Sequence, residues 1–180
     1  MEEVTDKIPE EQIESRLQDP LVEKLQSQFG EDIYNAYETY GIKTVVVNHE
    51  RIFDVMKFLK ETPEFNFHFL TDECGIHYPD NKGQELGVVY HLHNMIQNIR
   101  LRVETFFPSD NPVINSMTPL WPAANWMERE TYDFYGIIFE GHPDLKRILN
   151  MDDMDYFPML KQYPLEDGTR EDKNDKMFGR

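Results

Sequence analysis

Apolar residues recur on one helical face in two segments of the chain, and each predicts a helix. In the first, Leu21, Leu25 and Phe29 follow one another at four-residue steps, and a glycine directly after Phe29 ends the run. The second is the segment RIFDVMKFLKE, whose apolar face consists of three residues at helical spacing: Ile52, Met56 and Leu59. Such faces bury themselves against other elements, so both helices are expected to cover a common core.

Four further segments predict strands. The β-branched segment GIKTVVVNH predicts one at about 42–48, and NFHFLTDECGIHY predicts another over about 66–78. Apolar and polar residues then alternate in 85–93 and again from Ile99 onward, which is typical of an antiparallel hairpin with one buried face. Together these elements predict an α+β fold, in which helices pack on one face of a mixed β-sheet of four to five strands.

A third helix is predicted from near Pro122 through the segment AANWMERETYDFY, and Gly136 is a suitable left-handed residue to end it. Beyond Gly136 the periodicity is lost, although apolar and aromatic residues remain frequent, which favours an extended arm that lies along a partner. We therefore expect four parts: a flexible acidic N-terminus (1–16), an α+β domain ending in the third helix (17–136), an extended partner-docking arm (137–167) and a polar mobile tail (168–180).

Composition narrows the classes of function. A chain of 180 residues suits one domain, and its net charge of -16 opposes binding to nucleic acid or to anionic lipid. The single cysteine provides neither a disulfide within the chain nor a set of thiolate ligands for zinc or an iron–sulfur cluster. Neither a signal-peptide pattern nor the roughly 20 apolar residues of a membrane span is visible. A soluble chain that docks onto a membrane complex is the expectation.

Three kinds of chemistry compete with simpler interpretations. His91 and His93 lie two apart on a predicted strand and point to one side, so that with His77 or His68 they form a candidate metal site; exposed strand histidines have the same spacing. Cys74 directly follows two carboxylates, Asp72 and Glu73, which disfavour a reactive thiolate. A redox cofactor or nucleotide has no visible binding loop, because neither GxGxxG nor GxxxxGK[ST] occurs.

The sharpest candidate cluster of acids and bases lies in the segment WMERETYDFYGIIFEGHPDLKRIL. On a helix, Arg129 and Asp133 are four residues apart and can pair. Glu128 and Glu130 point about 200° apart, so they cannot form the carboxylate pair of a general acid–base site. The spacing alone fits a solvated helix face as well as a surface that touches several neighbours.

This segment resembles the signature of the 30 kDa-type subunit of respiratory complex I, which is the C subunit of the bacterial NADH–quinone oxidoreductase. The matching positions are Glu128, Arg129, Glu130, Asp133, Phe134, Tyr135, His142, Lys146, Ile148 and Leu149. The resemblance continues through TPLWPAANWMERE, GVVYHLHN and IRLRVET upstream and through KQYPLED downstream, and it covers about residues 40–167.

The resemblance implies a peripheral subunit without catalytic residues in a proton-translocating complex that passes electrons from NADH to quinone. FMN, the iron–sulfur clusters and quinone would be bound by partner subunits. The implied partners are the subunit with the terminal cluster and the 49 kDa-type quinone-pocket subunit, on the cytoplasmic side of the bacterial cell membrane. The residues expected at subunit interfaces are Glu128, Arg129, Glu130, Asp133, His142, Lys146, Arg147 and Tyr163.

One alternative stays open at this point. The equivalent subunit of a related membrane-bound hydrogenase-type complex would have the same features, because a subunit of this kind does not contact the electron donor.

Overall fold

A five-stranded sheet and three α-helices form the framework of residues 19–164, the part of the chain that the computed structural model describes. The predicted N-terminal segment 1–16 and the tail 168–180 lie outside these residues. In chain order the elements are α1 (Pro20–Phe29), β1 (Ile33–Thr39), β2 (Ile42–Asn48), α2 (Ile52–Glu61), β3 (Phe69–His77), β4 (Leu86–Asn94), β5 (Ile99–Phe107), β6 (Val113–Asn115), α3 (Ala124–Tyr135) and β7 (Ile138–Glu140).

The sheet has the strand order β1-β2-β5-β4-β3 and is mixed, as predicted. β2 and β5 run parallel, whereas the other neighbouring strands are antiparallel. Val45, Val103 and Tyr90 lie side by side across the sheet and are fully buried. They share one core with Leu25 of α1 and Ile52 of α2, so the helices cover this face of the sheet.

The edge strand β1 was not predicted. Of its seven residues only Ile33 and Ala36 are buried, because an edge strand makes few contacts with the core. Its sequence IYNAYET therefore lacks the regular alternation from which β4 and β5 were predicted.

α3 packs closely against β3 because Gly75 has no side chain. A Cβ atom at Gly75 would lie 2.5 Å from Cδ2 of Tyr135 and 3.0 Å from Cγ2 of Thr131. The helix ends where it was predicted to end, since Gly136 is left-handed with φ 76° and its N–H donates to the carbonyl oxygen of Tyr132. This packing places α3, which carries part of the signature segment, against β3.

The chain after α3 first returns to the core. β7 pairs in parallel with β6, and Ile137 and Phe139 are 0% and 2% exposed. Because β7 is paired in this way, the irregular segment begins at Gly141 and not at residue 137, where the arm was predicted to begin. From Gly141 to Pro164 the chain forms turns and bends without regular secondary structure, and we call residues 141–164 the arm. Residues 165–167 lie outside the described part of the chain.

Candidate functional site

Asp133 is the point at which α3 holds the arm. Its side chain is fully buried, and its Oδ2 atom accepts hydrogen bonds from the backbone N–H groups of Ile148, Leu149 and Asn150, at 3.0, 2.8 and 2.9 Å. The side-chain amide of Asn150 donates to Oδ1 at 3.0 Å. A single carboxylate therefore fixes three successive residues of the arm.

Arg147 completes this contact, which we call the Asp133 junction. One guanidinium nitrogen of Arg147 donates to Oδ1 of Asp133 at 2.7 Å and to its carbonyl oxygen at 3.0 Å. The other donates to the carbonyl oxygens of Met154 and Tyr156, at 2.7 and 3.0 Å. The guanidinium also lies 5.1 Å from the ring centre of Phe157. Arg147 thus joins the helix to a second, later portion of the arm.

The charge of Asp133 is well supported. Burial alone would raise the pKa of this carboxyl group, but the hydrogen bonds from Asn150, Leu149 and Arg147 hold its pKa well below the usual range. Asp133 is therefore ionised at neutral pH and forms a buried ion pair with Arg147, whose side chain is 9% exposed.

Arg129 binds the arm separately. Its guanidinium donates to the carbonyl oxygens of Lys146 and Arg147 at 3.1 and 2.9 Å and lies over the ring of Trp126 at 5.3 Å. The predicted pairing of Arg129 with Asp133 is therefore wrong. The arm offers carbonyl groups to the cation and N–H groups to the anion, and these contacts replace a pair within the helix.

Glu128 fixes the turn before α3. The hydroxyl group of Ser116 donates to its Oε2 atom at 2.7 Å, and the N–H of Met117 donates to Oε1 at 2.5 Å. His142, at the start of the arm, has its Nε2 atom 4.0 Å from Oε2 of Glu128 and 3.1 Å from the carbonyl oxygen of Asn125. Both side chains are fully buried, so this contact joins α3, the turn before it and the start of the arm in the interior of the protein.

The residues predicted for subunit interfaces therefore fall into two groups. Buried or half-buried ones bind other parts of this chain: Glu128, Arg129, Asp133, His142 and Arg147. The exposed ones are Glu130, Lys146 and Tyr163. The predicted separation of Glu128 from Glu130 is confirmed, because the first is buried and the second faces solvent.

Apart from Tyr163, the predicted interface residues do not include the apolar side chains that the junction leaves on the surface. We call them the arm surface: Trp126, Leu149, Met151, Tyr156, Met159 and Tyr163. Among them Met151 is 68% exposed and Leu149 65%. Apolar residues at helical or strand spacing signal a core, but single residues in an irregular segment carry no such signal. Exposed apolar side chains on a well-fixed backbone are typical of a protein–protein contact.

The other candidate sites from the sequence have less support among the described residues. Within residues 19–164, no three His, Cys, Asp or Glu side chains are grouped so as to hold a metal ion, His91 and His93 included. Burial, followed by the nearby Asp72, raises the pKa of the Cys74 thiol, which disfavours a nucleophilic thiolate. None of the described helices combines the length and the apolar character required to cross a bilayer.

Comparison with known proteins agrees with this architecture. Residues 45–169 match the family model of the respiratory-chain NADH dehydrogenase 30 kDa subunit. The C subunit of the NADH-quinone oxidoreductase of Polynucleobacter asymbioticus is 40% identical over 151 residues, which cover 81% of this chain and 76% of that protein.

Solved structures show the same fold. The trypsin-resistant fragment (1–134) of Nqo5 superposes with a TM-score of 0.60 and 33% identity, over 69% of this chain and 99% of the fragment. A chain of the membrane-bound sulfane sulfur reductase, an archaeal respiratory membrane complex, gives a TM-score of 0.68 over 81% of this chain and 84% of its own; at 23% identity, this likeness concerns the fold alone. The signature residues, the match over 45–169 and the shared fold show that the chain belongs to the family of the 30 kDa subunit of respiratory-chain NADH dehydrogenase, complex I.

Proposed function

We propose that this chain is a non-catalytic subunit that holds neighbouring subunits of an NADH–quinone oxidoreductase together through its arm surface. The observation that carries the proposal is the use of the signature charges. The charged side chains of this segment bind the chain's own backbone and one another, as Asp133, Arg147 and Glu128 do. The arm that they fix exposes apolar side chains. A segment held by a buried ion pair is ordered before a partner binds, which lowers the entropy cost of docking.

The chemistry of the complex would then belong to other chains. FMN, the iron–sulfur clusters and quinone would be bound by partner subunits, among them the terminal-cluster subunit and the 49 kDa-type quinone-pocket subunit. The complex would be attached to the cytoplasmic side of the cell membrane through these partners. Membership of the family and the name of the Polynucleobacter relative support this assignment.

A second candidate is the equivalent subunit of a related membrane-bound, hydrogenase-type complex. Its support is the fold shared with the sulfane sulfur reductase chain. The 40% identity with the Polynucleobacter NADH-quinone oxidoreductase relative favours the first candidate. Mass spectrometry of the native complex purified through this chain distinguishes them, because the electron-input subunits differ.

The docking role is tested by a charge placed on the arm surface. We expect Met151→Asp to lower the amount of partner subunits that co-purify with the chain by about tenfold or more, because the variant would bury an unpaired charge in an apolar contact, and a loss of about 1.4 kcal/mol already corresponds to tenfold. Quantitative mass spectrometry of the purified complex measures the effect. The free energy of unfolding should change by less than about 0.5 kcal/mol, since Met151 is 68% exposed.

Met95→Asp is the matched control. Met95 is 59% exposed in the turn between β4 and β5, so its replacement makes the same change of chemistry on a different part of the molecule. Normal assembly of Met151→Asp together with lost assembly of Met95→Asp would contradict the proposal and transfer the docking surface to that turn.

A further inference from the structure

A carboxyl group without a partner lies beneath α3. Glu73 is on the core face of β3 and is 3% exposed, and neither of its carboxyl oxygens has a hydrogen-bond partner among residues 19–164. Tyr90 lies opposite Glu73 on β4, is fully buried, and its hydroxyl group is likewise without a partner in the described chain. An ionised carboxylate in this position would be strongly disfavoured, because burial removes it from bulk solvent and no donor among the described residues compensates its charge.

The charged groups around Glu73 do not neutralise it. The two that act on it are Glu128, from α3, and Asp72, its neighbour on β3, and both are acids. His142, beside Glu128, donates its Nε2–H to the carbonyl oxygen of Asn125, and its Nδ1 accepts the N–H of Asp144 at 3.0 Å. Ser116 completes the surroundings of Glu128 and carries no charge.

The two buried carboxyl groups differ in the hydrogen bonds that they accept. Glu128 accepts hydrogen bonds from the Ser116 hydroxyl and the Met117 N–H, and such donors favour a carboxylate. Glu73 accepts none from the described residues, which favours the neutral acid. We propose that Glu73 and Glu128 form a proton-binding pair between β3 and α3, in which Glu73 keeps its proton at neutral pH and Glu128 loses its proton first.

The direction in which the pKa of each group is shifted agrees with this geometry. Burial, the nearby Glu128 and then Asp72 raise the pKa of Glu73 well above its usual value. Burial raises the pKa of Glu128 to about 7, against the lowering effect of the Ser116 and Met117 donors. The folded protein therefore binds more protons than the unfolded chain above the ordinary pKa of glutamate.

The consequence for stability has a definite sign. The stabilisation from a proton bound in the folded state is complete below the unfolded pKa and is lost as the pH rises through the folded pKa. Ionisation of Glu73 would place a second negative charge under α3, this one without a donor among the described residues. The contact between β3 and α3, and with it the Asp133 junction, should weaken as the pH rises above the ordinary pKa of glutamate and through the folded pKa values.

The test compares wild type with Glu73→Gln in the full 180-residue chain. Urea unfolding is measured at intervals between about pH 5 and pH 9. We expect the folding equilibrium constant of the wild type to fall more steeply with pH than that of Glu73→Gln, by up to about tenfold per pH unit for one proton. The difference between the two curves cancels the contributions of His77 and His91, whose pKa values burial lowers. Glu130→Gln, on the solvent side of α3, should follow the wild type.

A second measurement identifies the proton directly. The infrared carbonyl band of a buried carboxylic acid should be present in the folded wild type and in Glu130→Gln at neutral pH, and should be lost or reduced in Glu73→Gln. Equal pH slopes in wild type and Glu73→Gln would overturn the proposal. Absence of the acid band from the folded wild type would overturn it as well, and that measurement does not depend on the variant's folding.

Discussion

Replacement of Asp133 by alanine is expected to release the arm from α3 and to lower the free energy of unfolding by about 3–5 kcal/mol. The change leaves the largely buried guanidinium of Arg147 without its anion and three backbone N–H groups without their acceptor. Urea unfolding measures the loss of stability. Limited proteolysis measures the release, because the peptide bonds of residues 147–156 become accessible when the junction opens.

Two variants make the Asp133 result specific. Glu130→Ala removes an exposed carboxylate from the same helix and should leave both the stability and the cleavage pattern unchanged. Asp133→Asn keeps one acceptor oxygen without the charge and should lie between the two. If Asp133→Ala unfolded like wild type and its arm stayed resistant to protease, the junction would not be what holds the arm.

The same junction should weaken in acid. Because the pKa of Asp133 is depressed in the folded state, its stabilisation is present above the ordinary pKa of an aspartate and is lost as the pH falls toward the folded value. Acid thus acts on the Asp133 junction, whereas alkali acts on the Glu73–Glu128 pair.

Replacement of Gly136 by alanine is expected to separate α3 from the later part of the arm. Gly136 has φ 76°, and an added Cβ would lie 2.6 Å from the ring of Phe157, which packs on Tyr132. The left-handed backbone and the displaced ring should together cost about 2–4 kcal/mol. Thermal or urea unfolding of the full chain measures this cost.

Gly141→Ala isolates the contribution of Phe157. Gly141 has a similar left-handed backbone, with φ 84°, but an added Cβ would meet no atom within 4 Å. It should therefore show only the backbone strain, about 1 kcal/mol. Equal destabilisation by the two alanines would mean that Phe157 does not hold the arm against α3.

The sequence allowed a good prediction of the sheet, because β-branched residues marked β2 and alternating residues marked β4 and β5. β2 was predicted within its observed limits, and the hairpin of β4 and β5 followed from alternating residues and a short turn. β6 and β7 were missed because three residues are too short to show a period. Their pairing depends on residues far apart in the chain, which local patterns do not report.

The signature segment shows the limit of prediction from local spacing. Helical spacing correctly separated Glu128 from Glu130, since that depends on local geometry alone. It wrongly paired Arg129 with Asp133, because it could not include the N–H and carbonyl groups that the arm presents to them. A charged residue that is buried in the fold and one that is exposed to a partner look the same in a sequence. Only the position of the arm distinguishes the two.

The docking of the arm surface is tested most directly by photo-crosslinking within the assembled complex. A photoreactive amino acid replaces Met151 in the arm or, as a control, Tyr40, which is fully exposed in the turn between β1 and β2. We predict that irradiation links position 151 to another subunit of the complex and leaves position 40 unlinked. A complex that assembles normally, with crosslinks from position 40 and none from position 151, would contradict the account.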